Sequence, residues 1–248
     1  MAAMSNAPLL TVQRLSYHYP GNDHPVFADL DFSVADGEFV AIVGGSGVGK
    51  STLLRNIAGL IPPSSGNIAL SPARNRGSRD RGFVFQDTRL LPWRRIASNI
   101  EYGLAGLDLS RAERRERVDE VLELTAMTPY RDRWPHSISG GQAQRIGLAR
   151  ALAVHPRLLL MDEPFSAVDA LTRRRLQDEL IAIWRRLGMA VLFVTHDIDE
   201  ALYLADRIQV LRGSPAAIVR DECIDLDRPR ERSDPSFAAL THEIADSL

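Results

Sequence analysis

Apolar and polar residues alternate along the first part of the chain in the pattern of β-strands. Residues 9–15 and 26–34 show this alternation, and residues 39–43 form an unbroken apolar run of buried-strand length. Further short strands are predicted at residues 67–70 and 82–85. The chain is therefore predicted to open with a β-rich part.

Helical periodicity replaces this alternation between about residues 92 and 154. Residues 112–125 carry charges on one face and apolar side chains on the other, and residues 141–154 repeat that spacing. Strands and helices then alternate: strand 158–161, helix 170–187, strand 190–195, helix 198–205 and strand 207–211. This order predicts an α/β fold in which a helical insertion interrupts a β-α-β core.

Composition limits the kind of protein this is. At 248 residues the chain is long enough for one large α/β domain, or for a core with a subdomain. The formal net charge of −2 gives no overall positive field for nucleic acid, and the one cysteine, Cys223, excludes an internal disulfide framework. The first residues lack the pattern of a signal peptide, and no apolar run reaches the ~18 residues of a membrane span. We therefore expect a soluble cytoplasmic protein that meets a membrane only through a partner.

Residues 71–81 are polar and rich in arginine, so they could bind nucleic acid or form a solvated loop. Nucleic-acid surfaces of this type carry aromatic side chains on which bases stack, and this stretch has none. A solvated loop is the favoured interpretation.

One lysine stands alone among the 30 lysine and arginine residues of the chain. Lys50 lies in an octet that fits the phosphate-binding pattern G-x-x-x-x-G-K-[ST] between a predicted strand and a predicted helix: Gly44, Gly45, Ser46, Gly47, Val48, Gly49, Lys50 and Ser51. Glycines let backbone N–H groups surround phosphates, and a compact ammonium can lie beside them where a planar guanidinium needs more room. The hydroxyl of Ser51 is suited to Mg²⁺.

Two adjacent carboxylates end the apolar strand predicted at residues 158–161. Because side chains alternate along a strand, Asp162 and Glu163 must point differently and can have different roles. Asp162 is suited to Mg²⁺, and Glu163 to orienting and polarising an attacking water. A solvated pair of carboxylates is the alternative, but the phosphate-binding octet favours the catalytic role.

Two further sites for a phosphate are predicted. His196 follows a predicted strand at its carboxyl end, where ligands of open α/β sheets bind, and its imidazole could hydrogen-bond a γ-phosphate. Ser139, Gly140, Gly141 and Gln142 open a predicted helix, with Ser139 as the N-cap and N–H groups exposed to an anion. A nucleotide held from two sides is therefore predicted.

Over nearly its whole length the chain resembles the ATP-binding subunits of ABC transporters. The octet and residues 158–163 are similar to the family's Walker A and Walker B motifs, and residues 138–142 to its signature motif, with isoleucine replacing leucine. His196 resembles the switch histidine. The resemblance also assigns Gln86 to the Q-loop, Asp169 to the D-loop (with valine replacing leucine one residue earlier), and Tyr19 to the aromatic position that stacks on adenine.

The resemblance implies a P-loop NTPase core of RecA-like type, with an N-terminal antiparallel β part and a helical signature subdomain. It implies one ATP-binding domain, 1–248, divided into a core at about 1–86 and 155–248 and a helical subdomain at about 87–154. Thr52 joins the ATP-binding residues, and Gln86 joins Ser51 and Asp162 as a Mg²⁺ ligand. Lys50, Glu163 and His196 are the implied catalytic residues.

Partners follow from the same resemblance. A homodimer would hold ATP between subunits, with Ser139–Gln142 and Asp169 of one subunit acting on nucleotide held by the other. Hydrolysis would drive a separate permease, and through it a solute-binding protein, from the cytoplasmic face of the inner membrane. No nucleic-acid partner is expected.

Residues 86–93 resemble importers of the nitrate, sulfonate and taurine group. In those importers a short permease helix docks at this place, so Leu90, Leu91, Pro92 and Trp93 are expected to contact the permease; packing in the subdomain core is the alternative, chiefly for Leu90. Two other functions remain open: the ATPase of an exporter or lipoprotein-release system, and a soluble ABC ATPase that works on nucleic acid. The second usually has long heptads or two cassettes, which this sequence lacks.

Overall fold

The structure is a computed structural model that describes residues 8–70 and 78–248. Most of the arginine-rich stretch at 71–81 lies outside the described residues. The chain divides into two compact units, the first formed by Met1–Ser71 with Ala190–Leu248 and the second by Pro72–Met189. The helical insertion predicted at about 87–154 falls within the second unit.

The described residues form nine strands and seven α-helices. The strands are β1 (Pro8–Tyr17), β2 (Phe27–Ala35), β3 (Phe39–Val43), β4 (Ser65–Leu70), β5 (Arg81–Val84), β6 (Leu158–Asp162), β7 (Ala190–Thr195), β8 (Arg207–Gly213) and β9 (Ala216–Cys223). The helices are α1 (Lys50–Ile57), α2 (Ile96–Tyr102), α3 (Arg111–Leu124), α4 (Gly140–Leu152), α5 (Ala170–Leu187), α6 (Ile198–Leu204) and α7 (Pro235–Ala245).

The first unit combines an antiparallel part with a parallel part. β1 pairs antiparallel with both β2 and β4, and β8 pairs antiparallel with β9. β3 lies parallel between β7 and β8. Every residue of β3 and β7 is buried, as expected for parallel strands whose two faces are both covered. The antiparallel N-terminal part and the parallel core are both as predicted.

Strand register brings two of the predicted motifs to one edge of the first unit. β3 and β7 are aligned from Phe39 opposite Val191 to Val43 opposite Thr195. Because the strands are parallel, the octet that follows Val43 and the histidine that follows Thr195 leave the sheet at the same carboxyl edge.

The second unit repeats this arrangement with its own pair of parallel strands. β5 and β6 are aligned from Arg81 opposite Leu158 to Val84 opposite Met161. Gln86 and Glu163 each lie two residues beyond that last pair, so the register places them at the same edge. Four helices, α2 to α5, belong to this unit.

Candidate nucleotide-binding and catalytic site

Glycine is required at several positions of the phosphate-binding octet. A Cβ at Gly44 would lie 2.5 Å from the carbonyl oxygen of Leu211, and one at Gly49 would lie 2.5 Å from Cγ1 of Val26. Gly47 and Gly49 also have φ of 81° and 110°, in the region that residues with a Cβ seldom adopt. The backbone therefore makes a close turn that side chains would prevent.

The ammonium of Lys50 is enclosed by this turn. Its Nζ donates hydrogen bonds to the carbonyl oxygens of Gly44 at 2.7 Å and Gly45 at 2.9 Å, and the residue is only 5% exposed. Lys50 also begins α1, so the N-terminal N–H groups of that helix lie beside the loop. A fixed cation and N–H donors thus converge on one loop, which is the chemistry that a phosphate requires.

Tyr19 lies against the start of α1. Its hydroxyl shares a hydrogen bond of 2.8 Å with the hydroxyl of Thr52, and its ring meets Tyr17 edge to face. The side chain remains exposed, with 46% of its surface accessible. The structure therefore brings the predicted adenine-stacking residue next to the predicted phosphate loop.

A hydrogen-bonded turn fixes His196 after β7. The hydroxyl of Thr195 donates to Oε2 of Glu200 at 2.9 Å and accepts from the N–H of Asp197 at 3.0 Å. The carboxylate of Asp197 in turn accepts from the N–H of Glu200 and caps α6. These bonds hold the backbone on the C-terminal side of His196, whose own side chain is exposed.

Asp162 and Glu163 do differ, as the alternation along β6 predicts. Asp162 ends the strand and is 2% exposed, whereas Glu163 is half-buried. Glu163 has φ of 42°, a left-handed conformation that costs energy in a residue with a Cβ. The N–H and hydroxyl of Ser166 donate to the carbonyl oxygen of Glu163 at 3.2 and 3.0 Å, which holds this turn.

Gln86 faces this carboxylate. Its Nε2 lies 3.5 Å from Oε2 of Glu163, at the long limit of a hydrogen bond. The register of β5 and β6 alone predicts this meeting, because both residues follow the same strand pair by two positions. An amide and a carboxylate are thus placed where both could contact one water.

A capping box opens α4. The hydroxyl of Ser139 accepts from the N–H of Gln142 at 3.3 Å, and Oε1 of Gln142 accepts from the N–H of Ser139 at 2.9 Å. The prediction that Ser139 is the N-cap is confirmed. Since each of these side chains accepts from the backbone N–H of the other residue, the N–H groups of Gly140 and Gly141 are the remaining donors at the helix start that could meet an anion.

Asp169 has a local role that the sequence did not reveal. Its Oδ1 accepts from the N–H groups of Leu171 at 3.1 Å and Thr172 at 3.0 Å and so caps α5. These bonds, that from Thr172 first, hold the pKa of the Asp169 carboxyl below its usual range. One carboxylate oxygen is therefore used within the chain, and the predicted contact across a dimer stays a prediction.

Thr172 also packs against the signature glycines. A Cβ at Gly141 would lie 2.6 Å from Cγ2 of Thr172, whereas a Cβ at Gly140 would find its nearest neighbour, the carbonyl oxygen of Ala167, at 3.8 Å. The first turn of α4 and the first turn of α5 are thus in close contact at one glycine only.

This difference predicts that alanine lowers the stability of the chain at Gly141 but not at Gly140. Gly141→Ala is expected to lower the free energy of unfolding by about 1–3 kcal/mol, because the new methyl overpacks against Thr172. Gly140→Ala is the matched control and is expected to be neutral or stabilising by up to about 1 kcal/mol, since alanine favours helix. Thermal unfolding of the two variants measures this; equal midpoints would show that the contact with Thr172 is not tight.

Comparison with known proteins identifies the family. The family model described as ABC transporter matches residues 27–166, more than half of the chain. An aliphatic sulfonates import ATP-binding protein of Xanthomonas axonopodis is 48% identical over 84% of this chain and 83% of that protein. A taurine import ATP-binding protein of Pseudomonas putida is 41% identical over 92% and 91%, and a nitrate import ATP-binding protein of Synechococcus elongatus is 42% identical over 92% and 36%.

A solved structure supports the same family assignment. An ATP-binding cassette in a dimeric post-hydrolysis state, bound to ADP and Pi, superposes with a TM-score of 0.73 at 29% identity, covering 88% of this chain and all of that one. In residues 8–70 and 78–248 of the present structure, no helix has both the length and the apolar character needed to cross a bilayer. The chain belongs to the ABC transporter family, as one of its ATP-binding and ATP-hydrolysing subunits.

Proposed function

We propose that this chain powers import of a small anionic solute, of the sulfonate, taurine or nitrate type, through a separate membrane permease. The observation that carries the proposal is the identity of 41–48% to subunits named for import of these solutes. The exporter and nucleic-acid alternatives lack such support among the relatives reported above. The subunit would be held at the cytoplasmic face of the membrane by the permease, which also meets a solute-binding protein.

For ATP binding, we propose that Lys50 and the N–H groups of residues 44–52 hold the phosphates and that Tyr19 stacks on adenine. The enclosed ammonium of Lys50 and its contact with the loop carbonyls support the first role. The exposed ring of Tyr19 beside α1 supports the second.

Mg²⁺ fits the donors that the chain supplies. Ser51, Gln86 and Asp162 offer a hydroxyl, an amide oxygen and a carboxylate, which are the oxygen ligands that Mg²⁺ prefers. Asp162 is only 2% exposed at the end of β6, and its carboxylate is an oxygen ligand of the kind that this ion takes. When bound, the ion would neutralise phosphate charge.

For hydrolysis, we propose that Glu163 orients and polarises the attacking water and that His196 hydrogen-bonds the γ-phosphate. The contact between Gln86 and Glu163 and the restrained backbone of Glu163 support the first assignment, because a general base must be held in place. We further propose a homodimer in which Ser139, Gly140, Gly141, Gln142 and Asp169 act on the partner's ATP; a dimeric relative bound to ADP and Pi supports this.

For the permease, we propose docking on Leu90, Leu91, Pro92 and Trp93. Trp93 is 70% exposed and Pro92 is exposed, whereas Leu90 and Leu91 are partly buried. An exposed aromatic residue beside half-buried apolar ones is typical of a partner site.

The division into a core at about 1–86 and 155–248 and a helical subdomain at about 87–154 remains our proposal for the domain organisation.

Trp93→Ala tests this docking site. Because an exposed side chain contributes little to folding, the variant is expected to keep its thermal midpoint and its ATP affinity while binding the permease at least about 30-fold more weakly, as hot-spot tryptophans do. Co-purification with the co-expressed permease and uptake of labelled taurine, alkanesulfonate and nitrate are the measurements. Leu187→Ala, which removes an exposed apolar side chain elsewhere in the unit, is the control.

Two results would contradict the proposal in different ways. If Trp93→Ala unfolds, the residue belongs to the core and the docking assignment is wrong. If the wild-type complex hydrolyses ATP but takes up none of the three anions, the solute class is wrong while the ATPase assignment stands.

A further inference from the structure

The segment between Gln86 and Arg95 joins two parts of the proposed machinery. It begins with the amide that faces Glu163 and contains the proposed permease-docking residues Leu90–Trp93. It forms neither helix nor strand, and Arg89 within it has φ of 47°. Such a segment needs support from outside itself to keep one conformation.

Asn99 of α2 supports the C-terminal half of the segment. This side chain is completely buried. Its Oδ1 accepts a hydrogen bond of 2.7 Å from the N–H of Leu91, and its Nδ2 donates to the carbonyl oxygens of Leu91 at 3.2 Å, Arg94 at 2.9 Å and Arg95 at 3.2 Å. One amide therefore satisfies the backbone on both sides of Pro92 and Trp93.

Arg150 of α4 supports the N-terminal half. Its Nη2 donates to the carbonyl oxygen of Thr88 at 2.6 Å and its Nη1 to that of Arg89 at 3.0 Å. Burial, followed by the nearby charge of Arg89, lowers the pKa of Arg150 from its usual value. A charged group drawn out of water toward two backbone carbonyls fixes their position more firmly than an exposed arginine could.

The helix that carries Arg150 also begins at the proposed signature residues. α4 begins at the signature residues and carries Arg150 near its other end, and Thr88 lies at van der Waals distance from where a Cβ on Gly147 would be. The segment is thus attached to α2 at one half and to α4 at the other.

We propose that Asn99 and Arg150 are positioning residues that hold residues 86–95 as one stiff piece, so that a push of the permease on Leu90–Trp93 reaches Gln86. The role in coupling to the permease rests on the proposed function, whereas the rigidity of residues 86–95 is independent of it. Neither residue is among the proposed ATP-binding or catalytic residues, and each acts through the backbone of the segment. Asparagine is needed because a carboxylate at 99 would face three carbonyl oxygens, and arginine because its fork reaches two carbonyls at once.

The test uses hydrogen exchange and kinetics on Arg150→Lys and Asn99→Ser. Each variant keeps a polar side chain but loses the geometry described above. Arg145→Lys is the control, because Arg145 lies on the same helix and pairs with Glu179 instead. We expect amide exchange in residues 86–95 to rise about tenfold in both variants while the rest of 78–189 stays protected. We also expect kcat to fall about tenfold or more with KM for ATP within about twofold.

Other outcomes would overturn the proposal. If exchange rises throughout 78–189 and kcat falls only with the folded fraction, Asn99 and Arg150 are ordinary packing residues. The same conclusion follows if the segment stays protected in both variants, or if Arg145→Lys matches them. Hydrogen exchange needs neither ATP nor permease. It therefore tests whether Asn99 and Arg150 hold residues 86–95 rigid even if the wild-type chain proves to have no permease partner.

Discussion

Glu163→Gln is expected to bind ATP as tightly as the wild-type chain and to lose at least about 99% of its hydrolysis, as removal of a general base does. The amide keeps the size of the carboxylate and its unbranched stem, so the left-handed backbone and the bonds from Ser166 should survive. It cannot accept a proton or polarise water as a carboxylate does. ATP-bound dimer should therefore accumulate, visible by size exclusion, while steady-state phosphate release almost stops.

The matched control is Glu120→Gln. This carboxylate belongs to the same unit, is about half exposed and pairs with His155 on the surface. The Glu120→Gln variant should therefore have the same ATP turnover as the wild-type chain. Wild-type turnover in purified Glu163→Gln protein would assign the catalytic base to another residue, and loss of ATP binding would mean that Glu163 is structural.

Lys50→Arg should weaken ATP binding at least about tenfold although the charge is kept. The planar guanidinium of arginine is wider than the enclosed ammonium of lysine and cannot take its place. The ammonium sits between two carbonyl oxygens less than 3 Å away, in a turn so close that Gly44 and Gly49 could not bear a Cβ. A guanidinium should overpack this turn and lower the free energy of unfolding by about 1–3 kcal/mol.

Nucleotide titration and thermal unfolding measure the two effects. Arg55→Lys is the reverse exchange in the last turn of the same helix and should change neither. An unchanged dissociation constant for ATP in Lys50→Arg would show that charge alone, and not its shape, is what the loop requires.

The parts of the site that follow strands could be predicted from the sequence. Residues 39–43 and 190–194 are apolar throughout, so their burial, their parallel pairing and the emergence of the octet and His196 at the same edge follow from short-range patterns. Ser139 was identifiable as an N-cap because it precedes two glycines and a glutamine with capping-box spacing.

Other elements could not be predicted from short-range sequence patterns. β9 was not predicted, because Arg220 and Glu222 occupy its more buried face and pair with each other, which hides the apolar alternation. Asn99 and Arg150 were missed for a related reason: their partners are backbone carbonyls, whose positions depend on the fold and not on residue type. The left-handed backbone at Glu163 likewise depends on tertiary context. The cap formed by Asp169 does not, because it joins residues two and three positions apart, and an aspartate directly before the predicted helix 170–187 is the signal that could have revealed it.

The position of Lys50 also allows limited proteolysis to report on the conformation of the phosphate-binding loop. A lysine-specific endoproteinase has one peptide bond to cut in the whole sequence, after Lys50, and in the folded chain that side chain is enclosed. Cleavage into residues 1–50 and 51–248 should therefore report opening of this single loop, with no background from other sites. ATP that occupies the loop should slow the cut, so a gel with two fragments would give nucleotide occupancy without any added label.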